Sequence, residues 1–191
     1  MKKLIFALIA ASTAMAAAQA QNMTPQRAYI GAGVASVESD YRISGASNVN
    51  SSGYKGSGKV FGGVELDQTF GVEAGYTDFR KSRANYTMNG TNGVAVADGY
   101  GAYLAGKATM PLNERTGLYG KLGVAHTKRE MTANTPGVAG KLSDNAVYAG
   151  VGVQHTLNEQ VSLIAEYERY GKKANFGPKP DVLTVGAKYN F

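Results

Sequence analysis

The chain has 191 residues, among them 25 glycines, 12 tyrosines and no cysteine, with a formal net charge of +6 at pH 7. The lack of cysteine excludes disulfides and thiolate metal sites, so an exported fold would need another way to hold together. The length suits one domain, and beyond residue 20 no apolar stretch is long enough for a spanning helix.

Met1-Lys2-Lys3 is basic, residues 4–18 are apolar and alanine-rich, and Ala18-Gln19-Ala20 is an A-x-A site. Residues 1–20 therefore read as a secretory signal peptide cut before Gln21, which leaves 21–191 as a single domain. Residues 28–37 then alternate, with Ala28, Ile30, Ala32 and Val34 on one face and Tyr29, Gly31, Gly33 and Ala35 on the other. Residues 38–58, rich in Ser, Gly and Asn, read as a long loop. Within it, Gly53 to Lys59 fits a phosphate-loop pattern by letter, but no strand directly precedes it and no helix follows, so it reads as a flexible glycine-rich loop. A second strand covers 59–66, a tight turn 67–69, and a third strand shows Phe70, Val72, Ala74 and Tyr76. Residues 79–97 are again long and polar. The fourth strand spans 100–110, residues 111–115 turn, and Leu118, Gly120, Leu122 and Val124 mark the fifth. After a third long loop at 128–145, Val147, Ala149, Val151 and Val153 mark the sixth strand, 158–160 turn, and Val161, Leu163, Ala165 and Tyr167 mark the seventh. A fourth long loop at 169–180 leads to the last strand, 181–191, whose apolar face ends on Tyr189 and Phe191.

Eight strands joined by strictly alternating long and short connections predict an all-β fold: an eight-stranded antiparallel transmembrane up-and-down barrel. Its strands of about 9–11 residues suit a tilted crossing. The first connection is long, which puts both termini on the short-turn, periplasmic side of a bacterial outer membrane. The charges point the same way. Lys59, Glu65, Glu73, Lys107, Lys121, Glu166, Glu168 and Lys188 all lie opposite the apolar face, and a charge facing lipid at mid-depth costs roughly 2–4 kcal/mol. A soluble barrel would expose large tyrosine- and valine-rich surfaces to water and ranks below. Eight charges in so narrow a lumen are expected to pair, with Glu73, Lys107 and Lys121 as the central cluster.

The residues 61–66 (Phe-Gly-Gly-Val-Glu-Leu) through 70–76 (Phe-Gly-Val-Glu-Ala-Gly-Tyr) resemble strands of the transmembrane domain of the outer-membrane protein A family. So do Leu104 to Lys107, Leu118 to Gly123, Ala165 to Tyr167 and the closing Val185 to Phe191. The resemblance covers the whole mature chain and extends to opacity-type surface proteins and adhesins. It implies that the barrel-assembly machinery reads Tyr189 and Phe191, and that the interior holds a gate of paired charges, which Glu73 and Lys107 fit. The sequence departs from the family in two ways. The peptidoglycan-binding domain is expected to be absent, and the gate lacks partners: the sixth strand turns Tyr148, Gly150, Gly152 and Gln154 inward, and the seventh offers Ile164 where a base would be expected.

For function, the four long connections, taken as 37–58, 77–99, 127–145 and 169–181, hold 12 basic and 7 acidic residues; the rest of the mature chain holds 6 and 7. Arg80, Lys81, Arg83, Lys128, Arg129, Lys172, Lys173 and Lys179 carry this basic excess. The plainer reading is charge matching to lipopolysaccharide phosphates; the sharper is attachment to an anionic host glycan or protein. The expected role is non-enzymatic: envelope structure and adhesin-like surface interaction, by a chain read as a monomer. A small passive pore and a lipid A-modifying enzyme are the alternatives. His126, with only Thr127 and Glu130 beside it, and His155 build no zinc set, and no cofactor or nucleic-acid partner is indicated.

Overall fold

The structure, a computed structural model, describes residues 27–41, 47–51, 54–88, 90–134, 140–171 and 176–191; the proposed signal peptide, Lys172 and Lys173 lie outside these. Nine strands are present among them: β1 (Arg27–Tyr41), β2 (Ser47–Ser51), β3 (Tyr54–Glu65), β4 (Phe70–Met88), β5 (Thr91–Pro111), β6 (Thr116–Ala133), β7 (Gly140–Thr156), β8 (Val161–Tyr170) and β9 (Phe176–Asn190). All but β2 close an antiparallel ring. The ring is sealed by β9 against β1, from Tyr29↔Asn190 to Tyr41↔Phe176, and the Phe191 amide donates to the Ala28 carbonyl at 3.0 Å. Closure leaves the eight-stranded ring no open edge, as backbone groups in hydrocarbon require.

The two faces have opposite chemistry. Val34, Leu104, Leu122, Val124, Val147, Leu183 and Val185 are exposed on the outer wall, whereas Lys59, Glu73, Lys107, Lys121, Glu166, Glu168 and Lys188 are buried inside. Apolar outside and charged inside suits a lipid solvent.

The short turns share one device. Asp67 Oδ1 accepts from the amides of Thr69 and Phe70, both at 2.7 Å. Asn113 Oδ1 accepts from Arg115 (3.0 Å) and Thr116 (2.8 Å), and Asn158 Oδ1 from Gln160 (3.0 Å) and Val161 (2.8 Å). Each side chain replaces the carbonyl that would otherwise close the turn. The two amides hold the Asp67 carboxyl below its ordinary range. Its contribution to folding is thus present at neutral pH and fades as pH falls through the lowered folded-state value.

Glycine and tyrosine meet inside. Directly opposite residues in the ladders pair a ring with a glycine: Tyr29 with Gly63, Phe61 with Gly31, Tyr103 with Gly75, Tyr86 with Gly93, and Tyr119 with Gly152. A Cβ at any of these glycines would collide with the facing ring. The narrow lumen makes rings lie against the wall, and only a residue without a side chain leaves them room. Six tyrosines, Tyr29, Tyr86, Tyr103, Tyr119, Tyr148 and Tyr170, are buried.

Several connections read as loops are strand. β4 runs on to Met88 and pairs with β5 from Thr91, β6 and β7 extend into 128–145, and β3 begins at Tyr54 in the glycine-rich stretch. β2 adds to the side of β4 at this end. A bulge between Phe79 and Ser82 hid the hairpin from the sequence. It switches the buried positions of β4 from odd (Thr77, Phe79) to even (Ser82, Ala84, Tyr86), so one period-two pattern cannot span it. Ala84, Tyr86, Ala95, Ala97 and Met131 form a second small core there, which lets the ladder continue beyond the ring of apolar outer residues.

Candidate functional site

The lumen is built from alternate residues of all eight strands of the ring. Its middle is a chain of alternating charges. Lys59 bridges Glu168 (2.7 Å) and Glu166, and Lys121 bridges Glu166 and Glu73 (2.6 Å). Three acids thus meet two bases, and neutral donors hold the surplus. Tyr29 (2.8 Å) and Tyr103 donate to Glu73, and Tyr119 (2.9 Å) to Glu166. Tyr148 (2.6 Å), Tyr170 (3.1 Å) and Thr184 (2.8 Å) donate to Glu168. Nearer the short turns the order inverts: Glu65 lies between Lys188 (2.8 Å) and Lys107 (3.7 Å), and both lysines donate to Gln154 Oε1 (3.4 and 3.3 Å). Together the two layers balance.

This corrects the expected central cluster. Glu73 and Lys121 meet, but Lys107 belongs to the layer near the short turns, so the Glu73–Lys107 gate pair does not form. Along β5, Lys107 faces the Gly71 level of β4, below Glu73, which faces Ala105. Ile164 packs with Tyr29 and Phe61 as a small apolar cluster, filling by volume what a base would fill by charge. Above the charges, Tyr103 stacks on Tyr148 (4.1 Å, 6°) and both meet Tyr170 edge-on. Charge below and rings above fill the cross-section. A small recess lined by Glu65, Asp67, Lys107 and Gln154 opens at the short-turn end.

At the long-hairpin end the bulge sets Arg80 and Lys81 side by side on the outer surface, with Arg83 beyond them. Lys128 also faces outward. Arg129 does not: it is 4% exposed, because β6 continues inward-facing at odd positions past Thr127, and its Nε has no partner. It is a buried cation, not a loop charge. Lys179 sits on β9, its side chain outside the described residues. Tyr189 and Phe191 are exposed, in edge contact with each other at 5.4 Å.

Sequence reasoning missed the partners of His126. Asn145 Oδ1 accepts from its Nδ1 at 2.7 Å, and Ser143 Oγ lies 3.3 Å from its Nε2. Both fall in the stretch 128–145 that reads as a loop. The available signal was parity, since 143 and 145 continue the alternation of Val147, Ala149 and Val151.

Outer membrane protein A of Serratia marcescens is 28% identical over 141 residues, covering 69% of this chain and 38% of that protein. The chain thus spans under two fifths of that relative's length. Among solved structures, Ail of Yersinia pestis in complex with the heparin analogue sucrose octasulfate is 19% identical with a TM-score of 0.56, over 88% of this chain and 100% of that one. OprG of Pseudomonas aeruginosa is 15% identical with a TM-score of 0.60, over 89% and 98%. At such identities these structures share the fold alone. A family model described as the outer membrane protein beta-barrel domain matches residues 4–191. With a sealed ring, an apolar outer wall and a charged lumen beneath that match, the chain belongs to the family of outer membrane protein beta-barrel domains.

Proposed function

We propose that this protein is a sealed barrel of the bacterial outer membrane, non-enzymatic in its lumen, that anchors basic hairpins at the cell surface for interaction with anionic glycans. The observation that carries the reading is the filled lumen: the eight inward charges of its two charged layers are paired, and a stacked tyrosine pair with a third tyrosine edge-on lies above them. Passage of a solute would break several buried ion pairs at once. The long hairpins then face outward and both termini face the periplasm. The adjacent Arg80 and Lys81, with Arg83 and Lys128, offer positive charge to lipopolysaccharide phosphates or to an anionic host glycan or protein. The Ail complex shows that a barrel of this fold holds a sulfated sugar.

In a planar bilayer the protein should show no conductance of the size wide solute channels give; steady large openings would defeat the reading. Orientation is tested with single cysteines and an impermeant thiol reagent on intact cells. A cysteine at Lys81 should label, and cysteines at Gln68, Glu114 or Asn158 should not; the reverse would invert the barrel. The same assay tests Tyr189 and Phe191 as the contact for the assembly machinery, since removing Phe191 should abolish labelling at 81.

A further inference from the structure

On the outer wall, the apolar rows of the β6–β7 ladder end at Val124↔Val147. The next row is His126↔Asn145 and the one after it Lys128↔Ser143. All three of His126, Asn145 and Ser143 are exposed and face outward. Lipid acyl chains give way to headgroups at such a boundary, so this is where ester carbonyls lie.

The hydrogen bonds assign the imidazole. The amide oxygen of Asn145 can only accept, so His126 Nδ1 carries the hydrogen. Nε2 is then left with its lone pair, directed at the Ser143 hydroxyl 3.3 Å away. A hydroxyl on the free nitrogen of a histidine, whose other nitrogen is held by a fixed acceptor, is the arrangement that activates a serine. Lys128, directly opposite Ser143, puts a positive charge on the nucleophile's own row, and the Tyr100 ring lies 6.2 Å from that of His126.

We propose that Ser143, His126 and Asn145 form a lipid-facing hydrolase site for acyl esters, Ser143 the nucleophile, His126 the base and Asn145 a positioning residue. Ser143 Oγ bonds to the ester carbonyl carbon as its proton passes to His126 Nε2. The tetrahedral adduct, its oxyanion facing Lys128, collapses with cleavage of the bond to the alcohol oxygen, which takes the proton from Nε2 and leaves as the free alcohol. Water then attacks the acyl-serine, giving its proton to Nε2. Release of the carboxylic acid returns that proton to Ser143. The net reaction is ester plus water to acid plus alcohol, and no other reactant is needed. The substrate is a membrane lipid with an ester-linked acyl chain, a glycerophospholipid or the acylated sugar of lipopolysaccharide. The site lies outside the lumen and stands whether or not the lumen conducts.

The test uses the full folded chain in mixed micelles with phosphatidylethanolamine in one arm and lipopolysaccharide in the other, with released fatty acid measured by mass spectrometry. Release is expected in at least one arm, which names the source. Ser143→Ala and His126→Gln should lower it by roughly 10²–10⁴-fold. Asn145→Leu should lower it strongly while Asn145→Asp, which still accepts from Nδ1, restores most of it; a purely structural role would not separate these two. A fluorophosphonate should attach to Ser143 of the unmodified chain, a readout that does not depend on any variant folding. No fatty acid from either lipid, or release that survives Ser143→Ala in a folded barrel, would overturn the proposal; so would a purely mutual satisfaction of three polar side chains, which leaves Ser143 unlabelled.

Discussion

Lys121→Met is expected to destabilise the barrel by about 3–5 kcal/mol, the range for stripping one partner from a buried ion pair. The middle of the lumen runs Glu168, Lys59, Glu166, Lys121, Glu73 in alternating contact. It already holds one more acid than base. Without Lys121, three buried carboxylates share one ammonium and Glu73 keeps only tyrosine donors. Methionine preserves the length of the side chain, so the loss reports charge more than a cavity. Glu73→Gln alone should cost little by comparison, because the cluster is then balanced and the amide oxygen still accepts from a tyrosine. Added to Lys121→Met, it should recover roughly 1–3 kcal/mol, a coupling of the size neighbours in one network show. Lys107→Met, whose direct contacts are Glu65 and Gln154, should couple to Glu73→Gln more weakly than Lys121→Met does. Urea unfolding of the lipid-folded protein, followed by circular dichroism, reads all of these. A loss under 1 kcal/mol for Lys121→Met, or strict additivity with Glu73→Gln, would mean the ion chain does not govern stability.

Gly75→Val should cost about 1–3 kcal/mol if the chain folds at all. A Cβ there would lie 2.5 Å from the Tyr103 ring. That ring has nowhere to go: its hydroxyl donates to Glu73 and its face stacks on Tyr148 at 4.1 Å. Moving it would open both the charge layer and the aromatic layer above. Gly120→Val on the outer wall is the control, since nothing lies within 4 Å of a Cβ there and the side chain would meet lipid. Valine at 120 should be neutral or mildly stabilising. Equal losses at the two positions would show that backbone propensity, not the ring, sets the requirement for glycine.

The architecture was legible because its causes are local. Period two is a property of a single strand, so Leu118 to Val124 and Val147 to Val153 announce an apolar face by themselves. The inward parity of Lys59, Glu73, Lys121 and Glu166 follows from the same alternation, and the turn at Asp67, like those at Asn113 and Asn158, from side chains that bond two or three residues on. Where a local pattern broke, the reading broke with it. The bulge after Phe79 reverses the parity of β4, so a paired hairpin carries no single period-two pattern, and Arg129 lies on a stretch of β6 that no apolar alternation marks as strand.

Alternation along each strand is enough to imply a closed wall with lipid outside and charge inside. Which charge meets which follows from the assembled barrel. Lys59 and Glu166 are 107 residues apart, and Lys121 and Glu73 are 48 apart. Ser143 reaches His126 from 17 positions away, through a ladder rather than through neighbouring residues. Parity assigns a side chain to a face. Its depth and its neighbour across the lumen depend on the register of every ladder in between, and register is a property of the closed barrel that no single strand encodes.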